Sequence, residues 1–114
     1  TDQDLEVRLD EAFLELKIIS VFFTNSRVFQ IAQYINSRSI KGVKLIGYDL
    51  LPDNVRFLKE GKIDFLISQR PEEQGYTAVI TLFNNLFLNK EIPRKHFMPI
   101  DIIAKENIDY YKFR

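Results

Sequence analysis

Three polar side chains, Asn25, Asp49 and Gln69, each follow a short apolar run, at spacings of 24 and 20 residues. A carboxylate accepts hydrogen bonds from two vicinal hydroxyls, and the amides of Asn and Gln each donate and accept. As a set they suit a neutral polyhydroxylated ligand better than a phosphate or a metal ion. Each also has a plainer use: Asn25 fits the cap of a following helix, Asp49 a turn ahead of Pro52, and Gln69 a loop in which it satisfies backbone groups. Arg27 and Arg70 lie beside the trio and have the chemistry to clamp a carboxylate or phosphate, although a loop arginine is commonly solvated. Phe29, in the first turn after Asn25, is placed to stack on the face of a bound ring.

Catalytic chemistry finds little support. His96 is the single histidine and sits between Pro93 and Pro99, in a connection rather than at a strand end. The four glycines, Gly42, Gly47, Gly61 and Gly75, are isolated, and none forms GxGxxG or GxxxxGK(S/T). No metal-ligand spacing occurs, so no cofactor is expected. A phosphate-accepting receiver domain of similar length would need several acids at its strand ends, and only Asp49 stands at one. Cysteine is absent, which excludes disulfides and thiolate ligands without identifying a compartment.

The elements that must position the trio are readable from periodicity. With 114 residues, 46% of them hydrophobic, the chain is sized for one domain with its own core. Sixteen Lys plus Arg balance sixteen Asp plus Glu, which argues against a large basic nucleic-acid surface. No apolar run approaches the roughly 18 residues of a membrane-spanning helix. Leu5, Leu9, Ala12, Phe13 and Leu16 form the stripe of an amphipathic helix. Residues 18–24 read as a buried strand. Val28, Ile31, Ala32 and Ile35 return to helical spacing, with Asn25 or Ser26 placed to cap the start. A strand at 43–48 leads to a helix opened by Pro52, carrying Val55 and Leu58 and stopped by Gly61. A third strand at 63–68 leads to the longest helix, with Pro71, Glu72 and Glu73 in its first turn and a stripe of Tyr76, Val79, Ile80, Phe83, Leu86 and Phe87. Residues 97–104 form a last extended segment, kept to an edge by Pro99. Phe22, Phe23, Phe57, Phe65, Phe83 and Phe87 are expected in the core.

This alternation predicts an α/β fold, Rossmann-like and three-layered, with a mainly parallel sheet and right-handed crossovers. In such sheets ligands bind beyond the carboxyl ends of the strands, where Asn25, Asp49 and Gln69 stand.

The segments VFFTNSRVFQIAQYI at 21–35, KLIGYDLLPDNVRFLKEGKIDFLISQRPEEQGY at 44–76 and MPIDIIAKENIDYY at 98–111 resemble, in order and spacing, the C-terminal lobe of the type I periplasmic-binding-protein fold. That family includes sugar-binding transport receptors and the effector domains of lactose-repressor-like (LacI) transcription regulators. The resemblance implies that Asn25, Asp49 in its Gly-aromatic-Asp turn, and Gln69 contact a sugar. Ser26 replaces the Asp that many sugar-binding members carry there, which leaves the identity of the ligand open. It further implies that residues 1–114 form a single lobe of a two-lobed effector domain, the other lobe and any DNA-binding domain lying outside this chain. The wording of NSR and SQRPEEQGY looks nearer to a regulator than to a transport receptor. The implied protein is a cytoplasmic, homodimeric sugar sensor without enzymatic activity or membrane contact, meeting DNA only through a domain absent from this chain. The alternatives are a transport system's sugar-binding protein or the sensor domain of a signalling kinase, either of which would be periplasmic.

Overall fold

Short β-branched runs alternating with helical stripes build an open sheet with helices packed on it. In the computed structural model, which describes residues 2–111, the chain forms α1 (Asp2–Glu15), β1 (Ser20–Phe22), α2 (Val28–Ser37), β2 (Lys44–Tyr48), α3 (Pro52–Lys59), β3 (Phe65–Ser68), α4 (Pro71–Leu86) and β4 (Asp101–Ile103), with a last 3-10 turn at Ile108–Tyr110. The strand order is β1-β2-β3-β4. The first three strands are parallel, and β4 returns antiparallel to β3 with Ser68 opposite Asp101. The sheet is thus mainly parallel. Its antiparallel member is an edge strand that begins beyond Pro99, whose missing N–H suits no central ladder. Among the described residues no helix is long and apolar enough to cross a membrane.

Alternation along the strands gives the sheet two faces. Leu45, Leu66 and Ile103 lie on one and are buried with Val28, Ile31 and Ala32 of α2, Phe57 and Leu58 of α3, and the flanking Ile63 and Ile108. The opposite face carries Phe22, Phe65 and Ile102, which stay 53%, 42% and 63% exposed.

Several expectations from the sequence are corrected here. The first strand spans three residues rather than 18–24, and it is not buried: Ser20 and Phe22 are exposed because both lie on the sheet face that no helix among the described residues covers. The strand expected at 63–68 starts at Phe65. Ile63 is buried ahead of it, and Asp64 turns its carboxylate to accept the Leu45 N–H at 2.8 Å. Of the six phenylalanines assigned to the core, Phe57 is buried and Phe23 half-buried, whereas Phe22, Phe65, Phe83 and Phe87 are exposed. The helix behind the last two is real, and their rings stack with centroids 5.2 Å apart. Yet α4 buries none of its residues. Helical periodicity marks an apolar face without specifying what covers it.

Two contacts fix how the helices sit. A Cβ added to Gly47 would lie 2.4 Å from the Val28 side chain, so β2 and the start of α2 approach at a distance only glycine permits. Gly47→Ala is therefore expected to lower stability by about 1–3 kcal/mol through overpacking, measured as a reduced urea midpoint with an unchanged slope. At the other end of α2, the Tyr34 hydroxyl donates to Asp10 Oδ1 of α1 at 2.5 Å, and the Arg38 Nε donates to the same oxygen at 3.3 Å. Burial first, and then the Asp10 hydrogen bond, push the Tyr34 phenol up to about 12. The neutral phenol is the folded form. Its stabilisation is fully present below the ordinary tyrosine pKa of about 10 and is lost as pH rises from there towards 12. A pH titration followed by tyrosinate absorbance should show late groups that include Tyr34, because burial raises Tyr111 as well. The late amplitude should fall by one tyrosine in Tyr34→Phe, and an undiminished amplitude there would assign it elsewhere.

Candidate functional site

The loops after β1, β2 and β3 converge at one end of the sheet because parallel strands place all their carboxyl ends together. Between these loops lies a pocket of about 280 Å³ lined by Thr24, Asn25, Ser26, Tyr48, Asp49 and Gln69. The structure thus brings together the three residues singled out by spacing. The volume falls just below the usual small-ligand range of about 300–1,000 Å³. None of the six lining residues is cationic, and they offer one carboxylate, two amides and three hydroxyls. That is a donor and acceptor set for hydroxyl groups, with no cation to neutralise a phosphate or carboxylate.

Each of the three is held differently. The sequence places Asn25 or Ser26 to cap α2, but the Asn25 Oδ1 accepts the Arg27 N–H at 3.0 Å, closing a turn two residues long before the helix starts. The cap position itself is Arg27, which makes no side-chain cap bond. The cap comes instead from Asn54, whose Oδ1 accepts the Phe29 N–H at 3.0 Å. Asp49 adopts a left-handed backbone with φ of 70°, a conformation that Asp tolerates better than most residues. Its N–H donates to the Ile67 carbonyl at 2.9 Å, and among the described residues no protein group pairs with its carboxylate. Gln69 lies between Ser68, the last residue of β3, and Arg70, which has a φ of 52°.

Asn54 organises the first two loops, and sequence reasoning missed it. It is completely buried in the first turn of α3. Its Nδ2 donates to the carbonyls of Ser26 at 2.8 Å, Asp49 at 3.0 Å and Tyr48 at 3.1 Å. One side chain therefore binds the loop carrying Asn25, the loop carrying Asp49 and the start of α2. An asparagine just inside a proline-led helix looks like a solvated first-turn residue, and nothing in the local pattern marks it as buried.

The weaker candidates fare differently. Arg27 and Phe29 do not line the pocket; the Arg27 guanidinium lies 6.0 Å from the Phe29 ring centroid, and Phe29 packs against the core. Arg70 borders a neighbouring open trough that shares Ser26 and Asp49 with the pocket. Its guanidinium pairs with both oxygens of Asp101, at 2.8 and 3.1 Å, and with Glu73 at 3.3 Å. His96 is exposed in the extended segment after α4.

Residues 2–90 match the family model described as periplasmic binding protein domain. Among solved structures, a protein assigned as a LacI transcriptional regulator from Bacteroides fragilis is 44% identical, with a TM-score of 0.86 over 94% of this chain and 37% of that chain. An ABC transporter solute binding protein from Agrobacterium vitis, bound with α-D-tagatopyranose, is 26% identical, with a TM-score of 0.81 over 94% of this chain and 37% of that one. A periplasmic solute binding protein from Actinobacillus succinogenes with bound D-allose shares the fold at 22% identity, with a TM-score of 0.83 over 96% of this chain and 39% of that one. The chain therefore spans well under half the length of these proteins. No curated protein sequence matches it.

Asn54→Ala should strip partners from the Phe29 N–H and from carbonyls of both loops. At about 1–3 kcal/mol for each buried group left unpaired, the expected loss is about 3 kcal/mol or more by chemical denaturation. Asn54→Asp should be no better, because it turns the donor facing three carbonyls into an acceptor. Retention of wild-type stability by Asn54→Asp would refute this role.

Proposed function

We propose, for a chain that belongs to the periplasmic binding protein domain family, that it is the sugar-binding lobe of a LacI-type transcription regulator. The observation that carries this reading is the pocket in which Asn25, Asp49 and Gln69 meet without a cation. The ligand is a small neutral polyol bound without chemical change. Asp49 accepts from vicinal hydroxyls, while Asn25 and Gln69 donate and accept around the ring. Arg70 takes no part in charge recognition, because Asp101 and Glu73 already neutralise it. A second lobe completes the contacts, and closure upon the sugar shifts the balance between states of different DNA affinity. In this reading the regulator is a cytoplasmic homodimer, and the bare stripe of α4 faces the second lobe.

The regulatory role is favoured over transport by the identity to the Bacteroides fragilis protein, 44% against 26% for the tagatose-bound transport protein. Transport remains the second reading, supported by relatives whose structures hold D-tagatose, D-allose and D-arabinose, and it would place the protein in the periplasm.

Calorimetry of the intact protein against these three sugars and D-ribose tests both readings. One of them should bind, and Asp49→Ala should weaken it about tenfold or more, with Asn25→Ala and Gln69→Ala also weaker, because ligand hydroxyls lose buried partners. Undiminished affinity in all three variants would remove the proposed site. Consumption of the sugar during titration would make the protein an enzyme. Binding without any effect on DNA retention would decide for transport.

A further inference from the structure

Asn54 secures the loops of Asn25 and Asp49 but does not reach Gln69. The Gln69 carbonyl accepts from Gln74 Nε2 in the first turn of α4, and the neighbours of Gln69 on both sides lead to one carboxylate. On the amino-terminal side, the Ser68 hydroxyl lies 2.8 Å from the Tyr111 hydroxyl, and Tyr111 donates to Asp101 Oδ2 at 2.9 Å. With the tyrosine proton committed to Asp101, Ser68 is the donor to Tyr111. On the carboxyl-terminal side, the Arg70 guanidinium forms a fork on both Asp101 oxygens. We propose that Asp101, acting through Arg70 and Tyr111, is the positioning residue that holds Gln69 in the pocket. This rests on the sugar-pocket reading above and extends it to a residue that does not line that pocket.

Backbone geometry supports the assignment. Arg70 occupies the left-handed region, at φ 52° and ψ 58°, where glycine is at ease and a long side chain is strained. Such a conformation persists only where its surroundings over-determine it, and here the two-pronged pair with Asp101 does so. The turn at Arg70 carries the chain out of β3 and into α4. Asp101 stands opposite Ser68 in the sheet, at the point where the chain returns. Between these points, residues 71–100 bury no side chain, so the excursion is tied to the sheet mainly at its base. Arg70 first, and Tyr111 second, hold the Asp101 carboxyl below the usual carboxylate range, so the clasp is charged at neutral pH.

The test needs no ligand in its first arm. Side-chain amide and backbone NMR signals of the 114-residue chain are compared among wild type, Asp101→Ala, Tyr111→Phe and the double variant Arg70→Gly/Asp101→Ala. Asp101→Ala should lose the left-handed signature at Arg70 and shift and broaden the Gln69 amide, while the Asn25 amide stays in place. The double variant should regain the wild-type Gln69 signal, because glycine takes the left-handed backbone without a partner. A residue that only added global stability would not be rescued in this way. Should Asp101→Ala fail to fold, Tyr111→Phe, which keeps the ion pair and cuts the link to Ser68, should still move the Gln69 signal. An unmoved Gln69 amide in the folded variants, or no recovery in the double variant, would overturn the proposal. In the second arm, calorimetry of the intact protein with D-tagatose, D-allose, D-arabinose and D-ribose should show, for the sugar that wild type binds, about threefold to tenfold weaker binding in Asp101→Ala, with recovery in the double variant. Equal affinity in wild type and Asp101→Ala would also overturn it. If wild type binds no sugar, the sugar reading fails, and the first arm still decides the role of Asp101.

Discussion

A single buried amide sets the geometry of the candidate site. Asn54 has two N–H donors, shared among three backbone carbonyls after β1 and at the end of β2, and one carbonyl oxygen, which takes the Phe29 N–H at the start of α2. Those groups lie at the ends of regular elements or beyond them, where they would otherwise be unpaired away from water. Because the amide is completely buried, each bond is made in a low-dielectric setting where an unpaired partner is costly. The loops bearing Asn25 and Asp49 are thus anchored to α3, and α3 is anchored to the sheet by Phe57 and Leu58.

The side chains nearest the ligand space divide by how they are employed. Asn25 uses its oxygen locally on the Arg27 N–H, and the Asp49 carboxylate has no protein partner among the described residues. Of the two arginines beside the trio, Arg70 is matched by two acids, and Arg27 does not line the pocket. The pocket consequently presents hydrogen-bonding groups and a lone negative charge. Electrostatics of that kind disfavour anions, in keeping with the polyol proposed as the ligand.

The sheet is finished unevenly. Parallel sheets ordinarily have both faces covered, yet here Leu45, Leu66 and Ile103 are buried while Phe22, Phe65 and Ile102 on the other face remain open. The stripe of α4 is likewise apolar and uncovered.

Much of this protein was determined by local sequence. The order of helices and strands follows from periodicity and from the punctuation of Pro52, Gly61, Pro71 and Pro99, because those signals act within a turn or two of the chain. The trio Asn25, Asp49 and Gln69 was legible for a related reason: Asp49 and Gln69 directly follow a strand, Asn25 comes shortly after one, and parallel strands send their carboxyl ends to one place. What only the tertiary structure decided concerns contacts between residues far apart in sequence. Asn54 meets Ser26 across 28 positions, and Arg70 meets Asp101 across 31. No pattern in either neighbourhood announces the other, since the pairing depends on register and on how closely Gly47 lets α2 approach the sheet. The fate of Phe83 and Phe87 belongs to the same class. An apolar stripe states that a helix has a face to bury, and whether anything buries it depends on where the turn at Arg70 sends the helix.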